Sequence, residues 1–193
     1  MTTIYGLTGG VGMGKSAAAD ALRARSIAVV DSDAIARQIV EPGQPALVEL
    51  CAVFGAKVIG ADGYLDRVAM AKIVFADTAA RQRLEAILHP RIRAIWQAQV
   101  AAWRAEGRAV GVAVIPLLFE TGAQVHFDKT LCVACSPARQ RERLRARGWS
   151  EEEGARRMAA QWPVERKMAA ADFVVWSEGS LDVLAEQLRR IIP

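Results

Sequence analysis

Near the start of the sequence, Gly9-Gly10-Val11-Gly12-Met13-Gly14-Lys15-Ser16 has the types and spacing of a phosphate-binding loop, G-x-x-x-x-G-K-[ST]. Its glycines let the backbone turn so that successive N–H groups point inward at phosphate oxygens. A helix starting at the loop's end adds the positive end of its dipole. Lys15 is then expected to bridge the β- and γ-phosphates of ATP, and the Ser16 hydroxyl to bind Mg²⁺. The chemistry indicated is transfer of the γ-phosphoryl group to a small hydroxyl-bearing acceptor.

Asp31-Ser32-Asp33 supplies two carboxylates one residue apart. Beside a bound triphosphate such a pair can hold Mg²⁺ or its waters and take the proton of an attacking hydroxyl. Asp33 is the expected base and Asp31 the metal-proximal group, the other use of Asp31 or Ser32 being to cap the next helix. Arg37 lies one helical turn beyond Asp33 and points the same way, either toward an anionic acceptor or as an ordinary surface arginine.

Arg139, Arg143 and Arg147 recur every four residues as one stripe of a helix, with Arg141 and Arg145 roughly opposite. The planar guanidinium bonds phosphoryl oxygens bidentately and stays charged. Arg156, Arg157, Arg166 and Lys167 extend the basic region, about half of them as a plain solvated face. Residues 136–167 read as a hinged helical lid that closes over ATP and excludes water. His89-Pro90 and Pro116-Leu117-Leu118-Phe119-Glu120, taken by themselves, read as a helix terminus and as packing.

The elements that must position these groups alternate between strand and helix. Residues 3–8 are a β-prone run entering the loop, and residues 15–25 an alanine-rich helix. Residues 27–31 form a second strand ending in the acidic cluster, and residues 33–40 a second helix stopped near Pro42-Gly43. Residues 45–104 read as a helical insertion with strand character only over 57–65. Pro90 is expected to kink its longest helix or start a new one. Strands return at 109–115, 129–134 and 173–176, with helices at 137–147, 151–161 and 181–192. This pattern predicts an α/β fold, a three-layer sandwich of the P-loop NTPase type with a five-stranded parallel sheet, a helical insertion and a helical lid. One domain is expected over 1–193, with core residues 1–44 and 105–193, since no repeat or linker-like tract divides the chain.

Composition agrees with a compact soluble protein. The 193 residues are 52% apolar and 24% charged, enough for a sizeable core. No apolar run reaches the roughly 18 to 20 residues of a membrane-spanning helix. The start of the chain shows no basic leader or long apolar stretch, so a cytoplasmic protein that does not engage membrane is expected. Net charge is +4, with arginine carrying the excess, which suits an anionic ligand. No zinc-finger, RRM or aromatic-interleaved basic signature supports a nucleic-acid partner. Cys132 and Cys135 form a C-x-x-C on an expected strand, where residues three apart face opposite ways, and core packing is the better reading.

Taken together the motifs resemble the dephospho-CoA kinase family. The resemblance is carried in order by Gly6-Leu7-Thr8-Gly9 and the loop, Val30-Asp31-Ser32-Asp33-Ala34-Ile35-Ala36-Arg37, Leu88-His89-Pro90, Ile115-Pro116-Leu117-Leu118-Phe119-Glu120, Gln161 and Ala171-Asp172. It implies ATP-dependent phosphorylation of the ribose 3′-hydroxyl of dephospho-CoA, with the insertion over about 45–104 binding the CoA moiety. By the same resemblance, Asp33 is the acceptor-side base and Arg37, His89, Leu117 and Glu120 are acceptor contacts, while Arg143 and Arg147 are lid arginines over the phosphates. A monomer or weak homo-oligomer is expected.

The sequence departs from the family at Val114, where members often have an acidic residue, and at Trp176-Ser177-Glu178-Gly179, which replaces a common Asn-containing turn. Side-chain contacts to adenine at that turn are expected to differ. From the residues alone, a nucleoside monophosphate kinase or other small-metabolite kinase, a nucleotide-dependent switch ATPase and an inactive CoA-binding protein remain open.

Overall fold

A computed structural model gives the three-dimensional structure and describes residues 2–192. Strand β1 (Thr3–Thr8) runs into the glycine loop and then α1 (Lys15–Arg23). With β2 (Ala28–Asp31), β3 (Val110–Val114), β4 (Lys129–Ala134) and β5 (Phe173–Trp176) it forms a five-stranded sheet in the order β2-β3-β1-β4-β5. Every pairing is parallel. β1 lies at the centre, with β3 on one side and β4 on the other. The loop leaving β1 therefore opens at the point where strand order reverses, beyond the carboxyl ends of the strands.

The near-continuous apolar strands are what a sheet covered on both faces requires. On one face Leu7, Val112, Val133 and Val175 pack with Ala18, Ala19 and Leu22 of α1 and with Leu184 and Leu188 of α9 (Leu181–Ile191). Next to the loop, Met13, Ala134 and Cys135 pack with Val164 and Met168 of α8 (Val164–Ala170). Trp103 lies against Gly111, one of its ring atoms only 2.4 Å from where a Cβ would stand, so a larger residue at 111 would displace the indole. Helix, sheet and helix make the three layers the sequence predicts.

Between β4 and α8 lie α6 (Pro137–Ala146) and α7 (Glu151–Ala159). Each has a serine N-cap: Ser136 Oγ accepts from Arg139 N and Ser150 Oγ from Glu153 N. The segment expected as a lid, residues 136–167, spans α6, α7 and the start of a further helix. Val164 and Lys167 lie in α8, a helix absent from the sequence reading because its seven residues are too few to show periodicity.

Contacts divide the chain into two units, one of residues up to Asp31 with those from Val100 on, the other Ser32–Gln99. The smaller unit contains α2 (Ser32–Gln38), α3 (Pro45–Phe54), α4 (Arg67–Ala76) and the start of α5 (Thr78–Ala105). Asp66 caps α4 by accepting from Val68 N and Ala69 N. Glu49 of α3 pairs with Arg91 of α5 at 2.5 Å.

Residues 57–65 and Pro90 depart locally from what the sequence predicts. The strand character of residues 57–65 amounts to a 3-10 turn, Ala56–Val58, and one antiparallel bridge between Ile59 and Leu65. Gly60 N donates to Tyr64 O, and Gly63 N to Gly60 O, so the chain reverses before a ladder can extend. Of the two readings of Pro90, the start of a new helix is the one corrected, because Pro90 lies inside the continuous α5. Arg91 Nη1 donates to Ile87 O at 2.7 Å, adding a side-chain donor beside the position where proline has no N–H.

Candidate active site

The glycine loop bends where a side chain has no room. Gly9 has φ 147° and Gly14 φ 92°. A Cβ on Gly9 would come within 2.3 Å of Val133 O, and one on Gly14 within 2.7 Å of Ser177 Oγ. Only glycine takes this path without strain. Lys15, the first residue of α1, reaches back so that its Nζ donates to Gly9 O and Gly10 O, each at 2.9 Å. The ammonium is thereby held within the curve of the loop. Ser16 follows it in the first turn of α1 and is exposed.

Residues distant in sequence hold the loop from outside. Gln161 Oε1 accepts from Val11 N at 3.1 Å, and Gln140 Nε2 donates to Val11 O at 2.7 Å. Arg143 Nη1 donates to Gly12 O at 3.4 Å and to Ser177 Oγ at 2.8 Å, while Nη2 donates to Ser177 O at 2.5 Å. Ser177 Oγ in turn donates to Met13 O at 2.7 Å. The turn in which the sequence departs from its resemblance is therefore wired into the loop. Its next residue, Glu178, accepts from Ser136 N and Ser136 Oγ, each at 2.7 Å. Those two bonds, the backbone one foremost, hold the Glu178 carboxyl below the usual carboxylate range, helped by Arg139 and Arg143. The carboxylate fixes the root of α6, the helix bearing Arg143.

Of the arginine stripe, Arg143 alone bonds the loop. Arg139 pairs with Glu142 at 2.7 Å, and Arg147, exposed at the C-cap of α6, takes no part in the loop's hydrogen bonds. Arg145 on the other side pairs with Glu151. Arg157 stands 4.1 Å over the Trp149 ring and Arg166 3.3 Å over Trp162. Lys167, expected in the basic surface, is instead fully buried. Its Nζ donates to Pro116 O at 2.6 Å and pairs with Glu120 Oε1 at 2.8 Å.

Glu120, expected on the acceptor side, has that same Oε1 accepting from Trp162 N at 2.9 Å, and its Oε2 is buried without a hydrogen-bond partner. Leu117 is half-buried in the same segment, between Pro116 and the buried Leu118.

Asp31 ends β2 in register with Val114 of β3, whose partner on β1 is Leu7. It therefore lies at the sheet edge from which the loop emerges. Val114 itself is a core residue, 3% exposed, so no carboxylate is supplied from β3 there. A serine hydroxyl and an aspartate at that edge are hard oxygen donors, the set Mg²⁺ prefers when phosphate oxygens complete its shell. In the smaller unit, Asp33 and Arg37 are both exposed and one turn apart in α2, and His89 is exposed in α5 just before Pro90.

Gln140, Ser177 and Lys167 were not legible as loop supports. Lys167 did leave a trace: Val164, Lys167 and Met168 share one helix face, and a lysine in an apolar stripe calls for a buried partner. Cys132 and Cys135 are free and buried. Burial pushes the Cys132 thiol up to about 11, against the opposing pull of Lys167 and Lys15.

The dephospho-CoA kinase family model matches residues 3–182. The chain is 46% identical over 190 residues to the dephospho-CoA kinase of Anaeromyxobacter dehalogenans (strain 2CP-C), covering 98% of this chain and 90% of that protein. It is 40% identical over 193 residues to that of Bacillus anthracis, covering 100% and 96%. A solved structure from Thermus thermophilus superposes with a TM-score of 0.84 at 35% identity, over 99% of this chain and 96% of the other.

Proposed function

The chain belongs to the dephospho-CoA kinase family, and from that premise we propose how its own residues perform the reaction. The enzyme transfers the γ-phosphoryl group of ATP to the ribose 3′-hydroxyl of dephospho-CoA, giving coenzyme A and ADP, the last step of coenzyme A synthesis. For the site, the supporting observation is the loop between β1 and α1, with Lys15 Nζ held at 2.9 Å from Gly9 O and Gly10 O.

In our reading, the amides of residues 9–14 cradle the phosphates, and Lys15 meets the β- and γ-oxygens. Ser16 and Asp31 hold Mg²⁺, which when bound neutralises charge on those oxygens. Asp33, two residues beyond Asp31, accepts the proton of the 3′-hydroxyl as its oxygen attacks the γ-phosphorus and the bond to the ADP oxygen breaks. Arg143, braced on Ser177, and Arg147, one turn further, direct positive charge toward the transferring group. Arg37 and His89 bind the acceptor on the smaller unit, with Leu117 beside the β3 end. Glu120 serves that side through its bonds to Lys167 and Trp162.

Residues 136–167 act as the lid, and the insertion over about 45–104 binds the CoA moiety. No helix among the described residues is long and apolar enough to cross a membrane. We place the enzyme in the cytoplasm as a monomer or weak homo-oligomer, with small-molecule substrates and no nucleic-acid partner.

The test is incubation with ATP, Mg²⁺ and dephospho-CoA, with adenosine monophosphate and shikimate as parallel acceptors, followed by ADP release and product mass. Phosphorylation of dephospho-CoA alone is the expected result. ADP release with no phosphorylated acceptor would overturn the reading.

A further inference from the structure

Lys167 is fully buried, and its charge is met by one carboxylate, Glu120, only one of whose oxygens is hydrogen-bonded. Stability does not account for such an arrangement, because a buried ion pair seldom improves on apolar residues of the same volume. What the pair supplies is geometry. Lys167 Nζ donates to Pro116 O, and Thr8 Oγ1 donates to the same carbonyl at 3.1 Å, immediately before Gly9 begins the loop. Glu120 Oε1 also accepts from Trp162 N, and the residue before it, Gln161, accepts from Val11 N within the loop. Phe119 stacks on Trp162 with ring centroids 6.2 Å apart. One ammonium thus ties the root of the phosphate loop, through Thr8, and its tip, through Gln161, to the segment following β3.

We propose that Lys167 is a positioning residue for phosphoryl transfer: it fixes the Gln161–Trp162 corner and the Pro116 carbonyl, and through them both ends of the phosphate loop. Lys167 touches no reacting atom. This inference rests on reading the loop as the ATP site.

The test uses Lys167→Met, Glu120→Gln and the double variant, which leaves no unpaired buried charge and so keeps the fold where Lys167→Met alone loses it. Two quantities are measured: amide hydrogen exchange of the free protein, and steady-state kinetics with ATP and dephospho-CoA. In the double variant, exchange at Val11 and Trp162 should quicken by about tenfold or more while β4 amides keep their protection. Its kcat should fall by about 10²-fold with the KM for dephospho-CoA unchanged, as displacement of a positioned group predicts.

Equal loss of protection at β4 would make Lys167 a core staple only and overturn the proposal. So would a wild-type kcat, or a raised KM for dephospho-CoA at full kcat, which would make Glu120 a direct acceptor contact. Should wild-type protein leave dephospho-CoA unphosphorylated, the function assignment fails. The exchange result still decides whether Lys167 holds the loop.

Discussion

Asp33 and Cys132 show how position sets the chemistry of a single residue. Asp33 is exposed in the first turn of α2, two residues from the strand end that carries Asp31, where a carboxylate can reach a solvent-borne substrate. With Asp33→Asn, ATP affinity by equilibrium titration should be kept while kcat falls by about 10²- to 10⁴-fold, the usual contribution of a general base. Near-normal turnover would rule out that role. Cys132 is the opposite case, a thiol sealed in the sheet and raised to about 11 by burial. At pH 8 only about a thousandth of it is thiolate, and Cys135 is also buried and raised. Iodoacetamide on native protein should therefore give one adduct, at the half-buried Cys51, by peptide mass. Modification of Cys132 at the rate of Cys51 would contradict this.

Among elements, the connections after α8 and β5 do most to shape the site. Glu178 and Ser177, in the turn between β5 and α9, fasten α6 to the loop, and Asp172 fastens the start of β5 to β4. Asp172 Oδ2 accepts from Thr130 Oγ1 at 2.8 Å and from Thr130 N at 2.7 Å. The hydroxyl bond foremost, then the backbone one, hold its carboxyl below the ordinary range. A carboxyl depressed in the folded state stabilises the protein above its unfolded value and loses that contribution as pH falls through the lowered value. Asp172→Asn should therefore lower the urea midpoint by a constant amount from neutral pH down to the ordinary carboxyl range, and the gap should narrow in stronger acid. A gap independent of pH throughout would show that the charge contributes nothing.

For the whole molecule, the consequence of a preformed loop is linkage between ligand and fold. A ligand that binds only the folded state stabilises it by about 2.7 kcal/mol at a hundred times its Kd. For a chain of this size that corresponds to about 5–11 °C in Tm, at about 2–4 °C per kcal/mol. ATP with Mg²⁺ should produce such a shift in a thermal melt. Lys15→Met, which removes the ammonium from between Gly9 O and Gly10 O, should abolish most of it without lowering the Tm of the free protein by more than about 2 °C, since a half-exposed side chain contributes little to the core.

The sequence by itself determined what is local or periodic. The glycine loop with Lys15 and Ser16, all five strands and the arginine stripe rest on neighbouring residues, and local physics suffices to read them. The family, too, was legible, because its motifs survive in order along the whole chain. Tertiary structure alone decided strand order, and which arginine would face the loop: Arg143 bonds Ser177 from 34 residues away. It also turned Lys167 from a presumed surface charge into a buried tie to Glu120, 47 residues earlier, and made Gln161 the partner of Val11, 150 residues off. Such long-range bonds leave no period in the sequence. They form only when the sheet brings its strand ends together, and the cost of burying a polar group then dictates which partners must meet.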